Sequence, residues 1–279
     1  MHRIVRKNVL GPNLVELEVE APLVAAKARP GQFVIVRLHE KGERIPLTLA
    51  DWDPQKGTVT LVVQKVGKTT YQLGEEYKAG DAILDVVGPL GNPSEIRNYG
   101  TVVCVGGGVG IAPIFPIARA LREEGNHVIG VVGARTKDLL FWLDRMEKVC
   151  HELYVTTDDG SYGRKGVVTE PLRDILSSRT VHHVWAIGPA IMMKFATLTA
   201  QEFGVPITVS LNPIMVDGTG MCGGCRVEVE GQARFACVDG PEFPGELVNW
   251  DLLLARLSAY REEERCALEQ YLTIKEGRR

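Results

Sequence analysis

Residues 101–113 read TVVCVGGGVGIAP: an apolar run, a glycine-rich turn and the beginning of a helical pattern. Glycine at positions 106, 107, 108 and 110 permits a tight turn and the close approach of a pyrophosphate, whose charge meets the N-terminus of the following helix. Pro113 stands where a GxGxxG motif carries its third glycine. The stretch therefore predicts a nucleotide-binding turn, and a purely structural glycine-rich turn is the alternative.

Downstream of this turn, strand and helix patterns alternate. Strands are predicted at residues 101–105, 128–133, 152–156 and 183–187, and helices at 111–124, 139–148, 168–176 and 191–203. Such alternation predicts a doubly wound parallel sheet with helices on both faces. Ligands of open parallel sheets bind at the carboxyl ends of the strands. Asp158 and Asp159 follow one such end and are candidates to frame a nucleotide.

Upstream of the turn, the first 97 residues have an all-β pattern. Short Val- and Ile-rich runs at 15–19, 33–38, 58–66 and 82–87 are separated by turn residues, which predicts an antiparallel barrel or sandwich. Two motifs lie here, RIPLT at 44–48 and VQKVGKTT at 63–70. Their Arg, hydroxyl and glycine residues suit phosphate contacts. The GKT at 67–69 imitates a P-loop, but Val62 stands where the required glycine belongs, so that reading is rejected.

The chain beyond residue 205 is rich in Gly, Pro and Cys and carries the pattern Asp217-x4-Cys222-x2-Cys225-x11-Cys237. This is the plant-type [2Fe–2S] spacing, with aspartate in the first ligand position. A carboxylate is a harder and less electron-donating ligand than a thiolate. A zinc site on the same residues stays open, as does a Cys222–Cys225 dithiol, although the dithiol leaves Cys237 unexplained.

Composition limits the remaining possibilities. The net charge of −3 argues against a nucleic-acid surface. The sequence contains neither an 18-residue apolar run nor the apolar core of a signal peptide, so a cytoplasmic protein without membrane spans is expected. Cys104, Cys150 and Cys266 are interpreted as packing or bystander residues. The tail from Asn249, a candidate N-cap, to about residue 272 has a helical pattern.

In their order along the chain, the three motifs resemble those of the ferredoxin–NADP reductase superfamily. The most similar branch contains the electron-transfer subunit of dihydroorotate dehydrogenase and the small subunit of NADH-dependent ferredoxin:NADP oxidoreductase, also described as sulfide dehydrogenase. The resemblance implies an FAD-binding barrel at 1–97, an NAD(P)-binding α/β domain at 98–205, a [2Fe–2S] domain at 206–248 and a helical tail at 249–279. Asp217 in place of cysteine favours the oxidoreductase branch over the dihydroorotate branch.

The resemblance also implies site residues. The implied FAD contacts are Arg44, Pro46, Leu47, Thr48, Val63, Gln64, Lys65, Gly67 and Thr70. The implied nicotinamide-nucleotide contacts are Gly107, Gly108, Gly110, Pro113, Arg135, Asp158, Asp159, Gly188, Pro189 and Met192. The implied cluster ligands are Asp217, Cys222, Cys225 and Cys237.

The implied activity is electron transfer from NADH through FAD and the cluster to a larger flavoprotein or iron–sulfur subunit, with ferredoxin reached indirectly. Hydride transfer needs no side-chain base, so no catalytic residue is predicted. The resemblance favours NADH, whereas Arg135 and Lys137 suit the 2′-phosphate of NADPH, so NADP(H) stays open. A zinc-stabilised binding module without catalysis and a self-contained flavin reductase are the alternatives.

Overall fold

The computed structural model describes residues 1–276 and begins with two antiparallel sheets that enclose an apolar core. The sheet orders are β5-β6-β2-β1-β7 and β4-β3-β8, which agrees with the predicted barrel. The strands are β1 His2–Gly11, β2 Leu14–Glu20, β3 Phe33–Arg37, β4 Arg44–Thr48, β5 Asp51–Asp53, β6 Thr58–Gln64, β7 Ala82–Ile83 and β8 Asp85–Leu90. The helices in this part are α1 Pro22–Ala25 and α2 Lys68–Glu75.

A seven-stranded sheet follows, in the order β12-β11-β10-β9-β13-β14-β17, with β17 alone running antiparallel to its neighbour among the residues described. Its strands are β9 Thr101–Gly107, β10 His127–Ala134, β11 Glu152–Thr157, β12 Arg164–Lys165, β13 His183–Ile187, β14 Ile207–Ser210 and β17 Glu242–Pro244. The helices are α3 Ile111–Glu123, α4 Leu143–Val149, α5 Thr169–Ser178 and α6 Ala190–Glu202.

Successive residues of β9 enter different cores, because side chains alternate across a strand. Val103 and Val105 pack with residues of α5 and α6, whereas Val102 and Cys104 pack with residues of α3. The sheet is therefore covered by helices on both faces, as predicted.

The helix predicted at 139–148 is wrong in its first half. The chain makes a 3₁₀ turn at Lys137–Leu139, and α4 begins only at Leu143. Trp142 adopts φ 55°, and its indole N–H donates to Oε2 of the buried Glu16 in the barrel at 2.9 Å. Arg145 also reaches Glu16, at 3.4 Å. This contact between barrel and sheet outweighs the helical pattern of the segment.

The predicted limit at residue 205 falls just before β14, which joins the parallel sheet beside β13. β17 then pairs with β14, so the segment that carries the cysteines leaves the sheet and returns to it. Between the two lies a hairpin of β15 Arg226–Val229 and β16 Gln232–Phe235. The domain limits remain predictions.

The tail forms two helices, α7 Trp250–Ser258 and α8 Arg261–Glu276, where one helical stretch was predicted. Asn249 caps α7, and its side-chain oxygen accepts from the Leu252 amide at 3.1 Å. Over residues 1–276, the helices are all too short or too polar to cross a membrane.

Candidate functional site

A cavity of about 1150 Å³ opens where the barrel meets the carboxyl ends of β9, β10, β11 and β13. Barrel residues of β3, β4 and β6 form one wall, and the glycine turn after β9 forms another. Residues of the segment between β14 and β17 close a third side. Single ligand pockets usually measure about 300–1,000 Å³, so the volume suits a large ligand or two adjoining ones.

The glycine turn has its shape imposed by neighbouring atoms. β9 ends at Gly107, a 3₁₀ turn covers Gly108–Gly110, and α3 begins at Ile111. A Cβ on Gly110 would lie 2.1 Å from the Ile187 carbonyl oxygen, and one on Gly107 would lie 2.2 Å from Met192 Sδ. A side chain is therefore excluded at Gly110 by the backbone of β13, whereas one at Gly107 would have to displace the flexible Met192 side chain of α6.

Gly108 differs from these two glycines because it faces open space. Its φ is +56°, and an added Cβ would meet no atom of the described residues within 4 Å. The turn therefore combines a firmly packed base with an open, side-chain-free surface at the start of the 13-residue helix α3. Such a surface suits an anionic group near the helix N-terminus.

Most of the predicted nucleotide residues line the cavity together. They are Gly107, Gly108, Gly110, Pro113, Arg135, Asp158, Gly188, Pro189 and Met192. Asp159 lies outside this lining, where its Oδ1 accepts from the hydroxyl and the amide of Ser161 at 2.7 and 2.9 Å. These hydrogen bonds lower the pKa of Asp159 and hold it in its own turn.

The predicted flavin residues divide into two sets. Pro46, Leu47, Thr48, Gln64 and Thr70 line the cavity, whereas Arg44, Val63, Lys65 and Gly67 lie outside the lining. The alternation of β6 explains part of this division, because Val62 and Gln64 face the cavity while Val63 is fully buried in the barrel core. The assignment of all nine residues to FAD stays a prediction.

Of the three remaining members, Arg44 is an exposed residue of β4 that pairs with Arg37 of β3, and Lys65 and Gly67 are engaged within the barrel. Lys65 Nζ donates to Glu75 of α2 at 2.5 Å. The Gly67 amide donates to the Thr70 hydroxyl at 2.9 Å, which shapes the first turn of α2. Thr70 therefore both lines the cavity and closes the turn before the helix.

Sequence reasoning missed one whole wall of the cavity. Leu211, Asn212, Met215 and Pro241 contribute to it, together with Phe33 of β3. The alternation of β3 and β6 was a usable signal for barrel residues such as Phe33 and Val62. No local pattern marks residues 211–215, because they reach the cavity only through the pairing of β14 with β13.

The cysteine loop places two of its four predicted ligands in contact. Cys225 and Cys237 are buried with their Sγ atoms 3.2 Å apart, and Cys222 is exposed. Asp217 accepts from the Thr219 amide at 2.9 Å and from the Cys222 amide at 2.8 Å. These hydrogen bonds from backbone amides lower the pKa of the Asp217 carboxyl, and the one from Thr219 has the largest effect.

The donor set of this loop fits an iron–sulfur cluster. Three thiols and a carboxylate lie within residues 217–237. The Sγ atoms of Cys225 and Cys237 are in contact, and the Asp217 carboxylate accepts a hydrogen bond from the backbone amide of Cys222. Within residues 1–276, no three His, Cys, Asp or Glu side chains are arranged around a single metal position. Burial and the Cys225 thiol raise the pKa of Cys237, and iron binding displaces such a proton.

The cysteine loop packs tightly on the barrel wall of the cavity. A Cβ on Gly218 would lie 2.7 Å from Leu90 and 2.8 Å from Ile35. The Asn92 amide donates to the Gly240 carbonyl at 2.6 Å. Phe33, which lines the cavity, shares one apolar core with Cys225 and Cys237. The loop thus packs against the barrel strands that form one wall of the cavity.

Glu242 is a half-buried carboxyl at the junction of the barrel, the sheet and the cysteine segment. Ser94 Oγ, from the connection between barrel and sheet, donates to its Oε1 at 2.6 Å. Burial raises the pKa of Glu242 to about 7, although the Ser94 bond opposes this. The carboxyl therefore changes its charge near neutral pH in a region that joins all three parts.

Comparison with known proteins gives two matching family models. Residues 212–249 match the iron–sulfur cluster binding domain of dihydroorotate dehydrogenase B, and residues 104–197 match the oxidoreductase NAD-binding domain. The first model covers the cysteine loop, and the second covers most of the glycine turn.

Whole-chain relatives extend this match. A Thermotoga maritima protein named as a homologue of the dihydroorotate dehydrogenase B (NAD⁺) electron transfer subunit is 58% identical over 98% of this chain and 96% of its own. A Methanocaldococcus jannaschii protein, described as a probable electron transfer subunit of that enzyme, is 37% identical over 78% of this chain and 80% of its own.

A solved structure resembles nearly the whole chain. A chain of NADH-dependent reduced ferredoxin–NADP oxidoreductase, described in connection with flavin-based electron bifurcation, superposes with a TM-score of 0.92. It is 58% identical, and the match covers 98% of both chains.

Proposed function

The chain belongs to the family of dihydroorotate dehydrogenase B electron-transfer subunits and their homologues, and from this membership we propose that it exchanges electrons with a larger flavoprotein subunit. The chain is an oxidoreductase subunit that transfers electrons between NAD(H), FAD and a [2Fe–2S] cluster. The predictions of these three cofactors are confirmed by this membership. The larger partner and the individual site residues are proposals.

One observation supports the site assignments above all others. The glycine turn, the barrel wall and the cysteine loop surround the same cavity or adjoin it, and one apolar core joins Phe33 to Cys225 and Cys237. Electron transfer over a short distance requires this juxtaposition, whereas a set of independent binding sites does not.

At the nucleotide end, we assign the turn of Gly107, Gly108 and Gly110 to the pyrophosphate. The open backbone at Gly108 admits the phosphates, and Gly107 and Gly110 hold the turn against Met192 and Ile187. Arg135 and Asp158 stand at the ends of β10 and β11 and line the cavity, where they would contact the adenosine half of the nucleotide. Gly188, Pro189 and Met192 would confine the other half beside the barrel.

At the barrel end, the wall formed by Pro46, Leu47, Thr48, Gln64 and Thr70 would hold FAD. Apolar residues of the third wall, among them Leu211 and Met215, exclude water from the space between barrel and sheet. When bound, FAD exchanges electron pairs with the nicotinamide and single electrons with the cluster. The protein's part is to orient the two ring systems and keep the site dry.

At the cysteine loop, we assign one iron to Cys225 and Cys237, whose sulfur atoms touch. Asp217 and Cys222, which are linked through the Cys222 amide, would bind the other. Cys222 is exposed and the adjacent Met221 is 86% exposed, whereas Cys225 and Cys237 are buried. We infer that the buried side of the loop faces the barrel and that the exposed side faces the partner subunit.

A subunit of dihydroorotate dehydrogenase is the second candidate. Six relatives named as subunits of that enzyme are 33–37% identical to this chain, whereas the oxidoreductase chain is 58% identical. We therefore propose the NADH-dependent ferredoxin:NADP oxidoreductase as the parent complex. Assay of the reconstituted complex with NADPH and ferredoxin, and separately with dihydroorotate, distinguishes the two enzymes.

The experiment that tests the relay is an anaerobic titration of the FAD- and iron-reconstituted chain with NADH, and then with NADPH, followed by visible absorption and EPR. We expect NADH to bleach the flavin and to produce a rhombic [2Fe–2S] signal. The Cys225→Ser variant is the control, and its flavin should bleach without the EPR signal. A wild-type chain that holds zinc, lacks colour after reconstitution and does not respond to NADH would refute the proposal.

A further inference from the structure

Helices α7 and α8 lie beyond the part of the chain that matches the family's cluster-binding model, which ends at residue 249. They form a continuous segment that contacts the cysteine loop at one end and the barrel at the other. Neither helix lines the cavity. Their contacts therefore call for an explanation separate from direct cofactor binding.

Helix α7 is fastened to the cysteine loop. Arg256 Nη2 donates to the carbonyl of Gly224, which lies between Cys222 and Cys225, at 3.2 Å. The Trp250 indole N–H donates to the Gly245 carbonyl at 3.1 Å, and Leu253 is buried in the core that contains Cys225 and Cys237. The position of α7 is thus tied to that of the loop.

Helix α8 is fastened to helix α2 of the barrel. The Tyr271 hydroxyl donates to the carboxylate of Glu76, the C-cap residue that follows α2, and Lys275 Nζ lies 3.0 Å from the same carboxylate. The Tyr271 ring meets the Tyr71 ring edge-on, with centroids 6.4 Å apart. Lys275 also lies over the Tyr71 ring at 5.4 Å. Hydrogen bond, ion pair and aromatic contacts thus converge on one small area.

Helix α2 is the barrel element that these contacts restrain. Its first turn is closed by Thr70, which lines the flavin end of the cavity. On the other side, Lys7 Nζ of β1 donates to the carbonyl of Gly74, in the last turn of α2, at 2.5 Å and to that of Tyr77, just beyond the helix, at 2.6 Å. Helix α2 is therefore held between β1 and α8.

We propose that α7 and α8 act as a strap that retains FAD, with Tyr271 and Lys275 as positioning residues that fix α2 against the flavin. The proposal rests on the assignment of the barrel cavity to FAD. Arg256 ties the same strap to the cysteine loop, so the flavin and cluster sites are held in one mutual arrangement. The tail is then a working part of the electron-transfer unit although it touches no cofactor.

The test compares full-length, FAD-loaded chains. Release of FAD after dilution is followed by the recovery of flavin fluorescence in the wild type and in a Tyr271→Ala/Lys275→Ala variant. Because an aromatic pair and a cation–π contact are lost together, we expect the release rate to rise about fivefold or more. Hydrogen exchange of the α2 amides should accelerate in parallel, while NADH affinity stays unchanged.

Two further variants separate positioning from general damage. Gln270→Ala/Thr273→Ala changes two exposed residues of the same helix and should release FAD at the wild-type rate. Glu76→Ala removes the hydrogen bond and the ion pair but keeps both contacts with the Tyr71 ring, so its release rate should lie between those of the wild type and the double variant. A Tyr271→Ala/Lys275→Ala variant whose release rate rises less than about twofold overturns the strap. A wild-type chain that binds no FAD overturns instead the function from which the strap was inferred.

Discussion

The glycine turn and the cysteine loop differ in what fixes their shape. In the glycine turn, Gly107 and Gly110 are locked by atoms of β13 and α6, so the protein alone dictates the shape. In the cysteine loop, Asp217 is engaged by amides and Cys222 is exposed, and only Cys225 and Cys237 touch. We therefore expect the first loop to keep its shape without a ligand, and the second to take its final geometry only when the proposed cluster binds. The predictions below test this contrast.

The largest effect should follow the loss of the touching thiols. In Cys225→Ser, one ligand of the only close thiol pair among the described residues is removed, and iron content should fall close to zero. NADH affinity should stay at the wild-type value, because the glycine turn is shaped without the cluster. Iron analysis and fluorescence titration with NADH check both statements, and a parallel loss of NADH affinity would contradict the contrast.

Next in size is Gly110→Ala, whose new methyl group would meet the Ile187 carbonyl at 2.1 Å. Overpacking against backbone costs about 3 kcal/mol or more of unfolding free energy, because the atoms struck cannot move aside. Gly108→Ala is the matched control in open space, with a cost of about 1 kcal/mol from its positive φ. Urea unfolding of both variants measures the difference, and equal costs would show that the turn is not locked by packing.

A smaller, pH-dependent effect is expected from Glu242, at the junction of the barrel, the sheet and the cysteine segment. Its pKa of about 7 in the folded chain exceeds the ordinary value of 4.5, so between these pH values the folded chain keeps a proton that the unfolded chain releases. The unfolding free energy should therefore fall as pH rises through this window, by on the order of 2 kcal/mol.

The Glu242→Gln variant should lose this decline and be more stable than the wild type above pH 7. Glu246→Gln, at an exposed neighbouring position, is the control and should keep the wild-type profile. Chemical unfolding at a series of pH values measures the profile. A wild-type stability that is flat between pH 5 and 7 would contradict the raised pKa.

The smallest effect belongs to Asp217 in the chain freed of iron. Asp217→Ala removes the acceptor for the Thr219 and Cys222 amides, so their hydrogen exchange should become severalfold faster. Exchange in the glycine turn should not change. Faster exchange in the glycine turn as well would show that the two loops are structurally coupled, which would contradict the difference described above.

Local patterns predicted much of this molecule. The alternation of strands and helices gave the parallel sheet, the glycine turn marked the nucleotide end, and Asn249 capped α7 as expected. These features depend on neighbours in sequence or on the period of one element. They can be inferred wherever the local preference and the final fold agree.

The wrong predictions concern segments whose structure depends on contacts between residues far apart in the sequence. The helical pattern at 139–142 yielded to the bond between Trp142 and Glu16, which are 126 positions apart. Leu211 and Met215 entered the cavity through the pairing of β14 with β13, and α8 separated from α7 to reach α2. Val63 is fully buried in the barrel core, and its assignment to the flavin stays a prediction.

The antiparallel strand β17 has a consequence for biosynthesis. It completes the edge of the parallel sheet beside β14, yet it leaves the ribosome after all three cysteines of the loop have emerged. Because chains fold as their segments appear, the sheet edge closes only after the thiols have been exposed to the cell. The order of synthesis thus presents Cys222, Cys225 and Cys237 before the strand that closes the sheet edge beside them.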